Sequence, residues 1–225
     1  MSKKEIFKYS FKKSIPILCS YLFLSLAYGI SMQSAGFNWY LSALISLLVY
    51  TGAFQFVLIS LLSSQTSIIT IAITALLMGS RQVFYSIPFL KDFNQMASKK
   101  LYMIHSLTDE TFAINTTIDL KGEEKRAAMF YLAILSQSYW VSGSILGGII
   151  GNIIPFSLEG IDFCMTALFV IIFIDQWQAT NYHLPAIIGL GLAIICLFIF
   201  NSSNFMLPAL LLTSGILLLL ERRTS

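Results

Sequence analysis

The chain has 225 residues, of which 56% are hydrophobic and 11% charged, and its formal net charge is +3. With a mean hydropathy of +0.78, this composition argues against a cytosolic enzyme and indicates an integral membrane protein. At roughly 20 residues per span, the length accommodates about six to seven spans in one domain. We therefore predict an all-α, polytopic transmembrane helical bundle.

The first predicted span covers about residues 14–36, after a lysine-rich amino end. Pro16 stands near its start, where a missing N–H costs little, and Gly29 and Gly36 stand towards its end. The apolar run is too long for a cleavable signal and has no small-x-small cleavage site. We therefore expect a retained helix.

The second apolar run begins at Trp39 and is interrupted by Thr51–Gly52 beside the polar Gln55. A third run reaches Pro88, and residues 91–100 form the longest polar connection. The interruption predicts a broken or re-entrant helix, because polar residues and glycine stand inside sequence that is otherwise apolar.

The remaining chain continues with the polar segment HSLTDETFAINTTID and the charged segment KGEEKR. Four apolar runs follow, at about 127–155, 161–178, 183–201 and 205–221. A weak similarity between the two halves is consistent with an internal repeat of about 14–119 and 126–221. Gly143, Gly147 and Gly151 recur every four residues and predict a helix-packing seam.

Lysine and arginine concentrate in cytoplasmic loops. The basic segments here are the two chain ends, residues 91–100 and residues 121–126. This pattern predicts a multi-pass protein of the plasma membrane with cytoplasmic amino and carboxyl ends. In the first half, three complete spans would place 91–100 on the wrong side. Either a run between 39 and 90 is therefore broken, or the polar LTDE segment crosses the membrane.

Three charged residues of this irregular half stand within or beside otherwise apolar sequence: Arg81, Asp109 and Glu110. A charged side chain at bilayer depth costs about 2.5 to 3.5 kcal/mol on insertion scales, so its presence indicates a functional role. Secondary transporters build substrate sites from broken helices near the midplane. Gly52 and Gly79 occupy comparable places in consecutive runs, which predicts two half-helix ends that face each other.

Four segments, TGAFQF, SRQVFY, SLTDETFAI and GIDFCMTALF, resemble successive landmarks of the AzlC/YgaZ family. The resemblance covers nearly the whole chain and implies the large subunit of an exporter of leucine, isoleucine and valine, with methionine as a further candidate. It also implies a small membrane partner of the AzlD/YgaH type. The chain departs from the family at Gln82, where histidine is common, and at Gly79, where asparagine is common. A proton-relay role of that histidine would not carry over.

A free amino acid inside the membrane needs partners for its carboxylate and its ammonium group. Arg81 suits the carboxylate, because its planar guanidinium can bind in a bidentate manner. Asp109 or Glu110 could bind the ammonium group or carry a proton. Phe54, Phe56, Phe84 and Tyr85 could form an apolar pocket. The predicted substrate-binding residues are Gly52, Gln55, Phe56, Gly79, Arg81, Tyr85 and Asn115.

Structural interpretations stay open for the same residues. Arg81 and Asp109 can form a helix-to-helix ion pair, Ser106 and Asp109 can form a capping box, and Gln55 can hydrogen-bond between helices. The remaining expectations are an interfacial His105, a loop at His183 and a membrane-edge Asp175.

Two rival functions are an intramembrane enzyme and a channel or supporting subunit. The chain contains no HExxH, CxxC or G-x-S-x-G motif, and its three cysteines lack metal-ligand spacing. A dyad of Asp109 and Asp175 is the enzymatic arrangement left open. We expect no cofactor, and ionic rather than ATP-driven energy input, because no nucleotide-binding motif is present.

Overall fold

The computed structural model describes residues 1–153 and 183–205, with single positions at 170, 173, 174, 177 and 178 and part of 208–219. Side chains at 80, 81, 83, 84 and 201–204 are outside this description. Within these residues the secondary structure is helical and contains no strand, which agrees with the all-α prediction. The predicted run at 161–178, with Cys164 and Asp175, falls largely outside the described residues, and the run at 205–221 is described only in part.

Nine α-helices follow one another in the described residues: α1 (Lys3–Ser34), α2 (Trp39–Leu48), α3 (Ala53–Ser63), α4 (Ile68–Tyr85), α5 (Leu90–Asn94), α6 (Lys100–His105), α7 (Asp109–Thr116), α8 (Gly122–Ile153) and α9 (Leu184–Asn204). Short 3-10 turns lie at Ile87–Phe89 and Ala97–Lys99. The chain forms two compact units, residues 1–59 with 79–161, and residues 60–78 with 162–225.

Helix α1 begins earlier than predicted, because the basic amino end is itself helical. The Ser2 hydroxyl accepts from Glu5 N at 3.3 Å and Ser2 N donates to Glu5 Oε2 at 2.7 Å, which forms a capping box. The expected position of Pro16 near the helix start is wrong, since Pro16 lies inside the helix. By length and composition, α1 is the one described helix that qualifies by itself as a membrane span.

Helices α1 and α8 pack along each other through the predicted glycine seam. A Cβ atom at Gly147 would overlap the Leu26 carbonyl, and one at Gly143 would overlap the Ser25 hydroxyl. Gly29 of α1 is needed for the same close contact, because a Cβ atom there would lie 2.6 Å from Gly148 N of α8. The seam prediction is confirmed, and it brings the two backbones into direct contact.

The second apolar run is broken, as the sequence predicts. Helix α2 ends at Leu48 and α3 begins at Ala53, and the linker between them (residues 49–52) contains two left-handed residues, Tyr50 with φ 40° and Gly52 with φ 54°. The matching break expected at Gly79 is wrong, because α4 continues through that residue. A glycine inside a helix costs only about 1 kcal/mol relative to alanine, so it does not require a break.

A second break separates α6 from α7 at residues 106–108. The capping box forms between Thr108 and Thr111, with Thr108 N donating to Thr111 Oγ1 at 2.8 Å. The predicted box from Ser106 to Asp109 is wrong, since the Ser106 hydroxyl instead donates to the Tyr102 carbonyl at 2.8 Å. Asp109 and Glu110 do occupy the first turn of α7, as expected, where the helix dipole favours negative charge.

The polar connection at 91–100 folds back on the start of α1 and α8. Phe89, Phe93 and Met96 are buried in one apolar cluster with side chains that include Ile6 and Met129. Two polar bonds hold this end of the unit. Lys125 Nζ lies 2.7 Å from Asp92 Oδ2, and the Met1 ammonium pairs with Glu124, which raises the pKa of the amino terminus through a hydrogen bond and its charge. The connection is therefore a packed structural element.

In the other unit, α9 matches the predicted run at 183–201. His183 directly precedes α9 and its ring stacks on Trp177, with ring centroids 3.9 Å apart. Phe173 and Ile187 help to line an apolar cavity of about 410 Å³ in this unit.

Candidate functional site

The carboxyl end of α2 is held in place by side chains from two other helices. Gln137 Nε2 of α8 donates to the Leu47 carbonyl at 3.1 Å, and His105 Nε2 of α6 lies 3.2 Å from the same oxygen. The Tyr102 hydroxyl donates to Gln137 Oε1 at 2.8 Å, which fixes the orientation of the amide. The half-helix end therefore has defined partners although the helix stops inside the unit.

The amino end of α3 is tied to the same neighbours. Gln55 Nε2 donates to Ser46 Oγ at 3.2 Å, Ser46 Oγ donates to Ser144 Oγ at 2.8 Å, and Ser144 Oγ donates to the Trp140 carbonyl at 2.8 Å. Gln55, Ser46 and Ser144 are fully buried. This chain of bonds is consistent with the helix-packing interpretation of Gln55.

Aromatic rings surround the linker at 49–52. The Trp140 ring lies edge-on to Tyr21 with centroids 5.1 Å apart, and Tyr28 lies edge-on to Phe56 at 5.6 Å. These four rings are at most 3% exposed. A Cβ atom at Gly52 would lie 3.9 Å from Trp140 Cη2. The break therefore faces an apolar wall of the kind that can bury an aliphatic side chain.

Several buried polar atoms of this unit have no hydrogen-bond partner within the described structure. Such atoms are rare in folded proteins, where water or a neighbouring polar group usually satisfies them. They include Ser42 Oγ of α2, Thr51 Oγ1 of the linker, Gln55 Oε1 of α3, Asn115 Oδ1 of α7, and Ser136 Oγ and Trp140 Nε1 of α8. The described residues contain no cluster of histidine, cysteine and carboxylate side chains suited to a metal ion.

The second break carries a carboxylate in a defined position. The Tyr21 hydroxyl of α1 lies 2.7 Å from Thr108 Oγ1 and 2.7 Å from Glu110 Oε2. Tyr21 is 3% exposed and Thr108 6% exposed, and Glu110 is half-buried. This arrangement joins α1 to the start of α7 through a charged group.

The structure brings some of the predicted substrate residues together and leaves others apart. Gly52, Gln55 and Phe56 come together at the first break, and Asn115 is buried on α7. The Tyr85 ring, by contrast, stacks on Phe112 of α7 with centroids 4.9 Å apart.

Tyr85 lies on α4, and so do two further predicted residues, Gly79 and Arg81. Gly79 is inside the helix, and a Cβ atom added there would have no atom within 4 Å. Arg81 is on the same helix, with its side chain outside the described structure. The contact of both residues with a substrate stays a prediction.

The sequence interpretation missed the polar face of α8. Gln137, Trp140 and Ser144 contact or adjoin the broken helix, and Ser136 is a buried residue of α8. Ser136, Trp140 and Ser144 recur every four residues, which places them on one helix face. That spacing is the signal that could have identified this face.

Residues 16–154, which include both breaks and the glycine seam, match the family model described as AzlC protein. The chain belongs to the AzlC family. This result confirms the resemblance found in the sequence motifs.

Three bacterial relatives each cover most of this chain. The "Branched-chain amino acid transport protein AzlC" of Bacillus subtilis (strain 168) is 37% identical over 217 residues, covering 96% of this chain and 85% of the relative. A membrane protein of Helicobacter pylori (strain J99) is 35% identical, covering 97% and 96%. "Inner membrane protein YgaZ" of Escherichia coli (strain K12) is 29% identical, covering 74% and 71%. No solved structure matches the chain.

Proposed function

We propose that this AzlC-family protein is a multi-pass transporter of the plasma membrane that exports branched-chain amino acids. The observation that carries the proposal is the broken helix at 49–52, which stops among buried polar atoms and aromatic rings. A helix interrupted in this way exposes backbone groups to a solute. The name of the Bacillus subtilis relative points to branched-chain amino acids, which are leucine, isoleucine and valine. Methionine is a further candidate that comes from the family resemblance alone.

The two breaks suggest how such a substrate would be held. The aliphatic side chain would pack against Phe56 and Trp140, which are buried beside the linker. Gln55 Oε1 and Asn115 Oδ1 are buried acceptors available to an ammonium group. Arg81 would bind the carboxylate, because a guanidinium stays charged and can bind both oxygens. Gly52, Gly79 and Tyr85 complete the proposed set.

We further propose that transport is driven by the proton gradient, with Asp109 or Glu110 as the coupling carboxylate. Export would require a small membrane subunit of the AzlD/YgaH type, as the family resemblance implies. The excess of lysine at the amino end and of arginine at the carboxyl end supports a cytoplasmic position for both ends. We also propose that the chain crosses the membrane six to seven times.

The test is efflux of preloaded radiolabelled leucine from cells that express this chain with its small partner. Wild type is compared with Arg81→Ala and Asp109→Asn at matched membrane levels. Lys91→Ala and Asp119→Asn serve as charge controls, because both residues are exposed outside the breaks. We expect fast efflux in wild type and both controls, loss in the two site variants, and abolition by a protonophore.

Efflux equal to that of empty cells for leucine, isoleucine, valine and methionine would refute the substrate assignment. Efflux that persists in both site variants would instead favour a channel or a supporting subunit, since neither needs a buried charge to recognise its solute.

A further inference from the structure

Tyr21 holds a hydroxyl group between two oxygen atoms that are equally close. Both Thr108 Oγ1 and Glu110 Oε2 lie 2.7 Å from Tyr21 Oη. A phenol has a single hydrogen to donate, and its oxygen can also accept. One of the two bonds must therefore be donated by Tyr21, and the other must be accepted by it.

The direction of these bonds depends on the state of Glu110. When the carboxylate is charged it can only accept, so Tyr21 donates to it and the Thr108 hydroxyl donates to Tyr21. When the carboxyl is protonated, its O–H can donate to Tyr21, which then donates to Thr108 Oγ1. Both states keep both bonds, and only hydroxyl hydrogens rotate.

We propose that Glu110 is the proton-binding carboxylate of this transporter and that Tyr21 is its positioning residue, a hydrogen-bond switch that accommodates the charged and the protonated form. This inference rests on the proton-driven transport proposed above and selects one of the two adjacent carboxylates. The proton enters from solvent and binds a Glu110 carboxylate oxygen, and it leaves from the same atom. No other covalent bond is made or broken.

The surroundings keep the switch in place and connect it to the helix break. Trp140 packs edge-on against the Tyr21 ring at 5.1 Å, which limits movement of the hydroxyl. Tyr50, in the linker between α2 and α3, lies close to both Tyr21 and Glu110. Glu110 therefore lies near the linker of the proposed substrate site.

Two titratable groups lie close to Glu110 among the described residues, Tyr21 of α1 and Tyr50 of the linker. Asp109 precedes it in the first turn of α7. Lys13 of α1 also reaches α7, but at the far end, where its Nζ donates to the Thr117 carbonyl at 3.2 Å.

The test is infrared difference spectroscopy of the purified chain with its small partner, recorded between alkaline and acidic buffer without substrate. We expect that Glu110→Gln removes one component from the carbonyl bands of the protonated carboxylic acids, to which the other ten Asp and Glu side chains also contribute. In Tyr21→Phe this component should remain but change frequency, because the phenol that bonds to the carboxyl group is gone. A merely structural tyrosine would leave that frequency unchanged.

Two matched controls keep the result specific. Tyr139→Phe removes a tyrosine hydroxyl that also bridges α1 and α8, through a hydrogen bond with the Ser14 hydroxyl at 3.0 Å. Glu123→Gln removes an exposed carboxylate in the first turn of α8. Neither should alter the band assigned to Glu110.

A spectrum of Glu110→Gln identical to wild type would overturn the proposal, as would an unchanged band frequency in Tyr21→Phe. Because no substrate is present, these results are independent of whether the chain transports leucine. If Tyr21→Phe does not fold, the Glu110→Gln spectrum still decides whether Glu110 binds the proton, since that assignment needs only the glutamate variant.

Discussion

Gln55 Nε2 donates to the Ser46 hydroxyl at 3.2 Å, so the two halves of the broken helix are joined across the linker at 49–52 by their own side chains. The Ser46 hydroxyl in turn donates to the Ser144 hydroxyl of α8 at 2.8 Å. All three side chains are fully buried. The break is therefore a fixed part of the fold, and the groups that it exposes are held in defined positions.

Replacing Ser46 by alanine should destabilise the protein, because Gln55 Nε2 would lose its acceptor in a buried position. A buried polar group left without a partner costs about 1 to 3 kcal/mol. We expect a lower unfolding midpoint of purified protein in detergent. Ser138→Ala is the control, since Ser138 lies on α8 with an exposed side chain that bonds only to its own helix. Equal midpoints for the two variants would contradict the prediction.

Gly147→Ala should separate α1 from α8. The new methyl group would overlap the Leu26 carbonyl, which is backbone and cannot rotate away. Overpacking of this kind costs about 1 to 3 kcal/mol, so thermal stability and folded yield should both fall. Gly191→Ala on α9 is the matched control, because no atom lies within 4 Å of its Cβ position. Removing a helical glycine there should be neutral or stabilising. Comparable losses in both variants would show that close approach is not the cause.

Gln137→Glu should weaken transport by disturbing the end of α2. The substitution replaces the amide donor with an oxygen atom that faces the Leu47 carbonyl, now 3.1 Å from Gln137 Nε2. Gln95→Glu is the matched control, and we expect it to leave transport intact. Gln95 Oε1 already accepts from Arg126 Nη1 at 2.6 Å, and a carboxylate would strengthen that bond. Both variants are compared with wild type by leucine efflux per folded protein. Wild-type efflux in Gln137→Glu would show that the bond to the Leu47 carbonyl is not needed for transport.

Local signals explain which parts of the fold were predictable. Thr51–Gly52 stand inside an apolar run and mark a true break. Gly143 and Gly147 are spaced four residues apart and mark a true packing seam. Gly79 has the same local appearance as Gly52, yet α4 continues through it. A glycine permits a left-handed residue but does not impose one, so the surrounding packing decides.

Contacts between distant residues explain what the sequence could not predict. Tyr21 and Glu110 are 89 residues apart, and Ser46 and Ser144 are 98 residues apart. No spacing rule relates such pairs, because they meet only after α1 has packed against α7 and α2 has packed against α8. The face of α8 with Trp140 and Ser144 was visible as a period of four, but serine is also common in membrane helices that bind nothing.

Gly52→Ala tests whether the left-handed backbone of the linker matters for function. Gly52 has φ 54°, and a Cβ atom would lie 3.9 Å from Trp140, which is ordinary contact, so steric overlap contributes nothing. Forcing alanine into this conformation costs about 1 to 2 kcal/mol, and asparagine tolerates it better. We expect Gly52→Ala to lower stability and leucine efflux, with Gly52→Asn retaining more of both.

Gly122 offers the matched control, because it has φ 58°, open space around its Cβ position and a place at the start of α8 away from both breaks. Gly122→Ala should cost a similar amount of stability, since the backbone strain is the same. Efflux per folded protein should nevertheless stay at the wild-type level there and fall at Gly52. If both alanine variants lose efflux in proportion to stability alone, the linker is a structural turn and the substrate site must lie elsewhere.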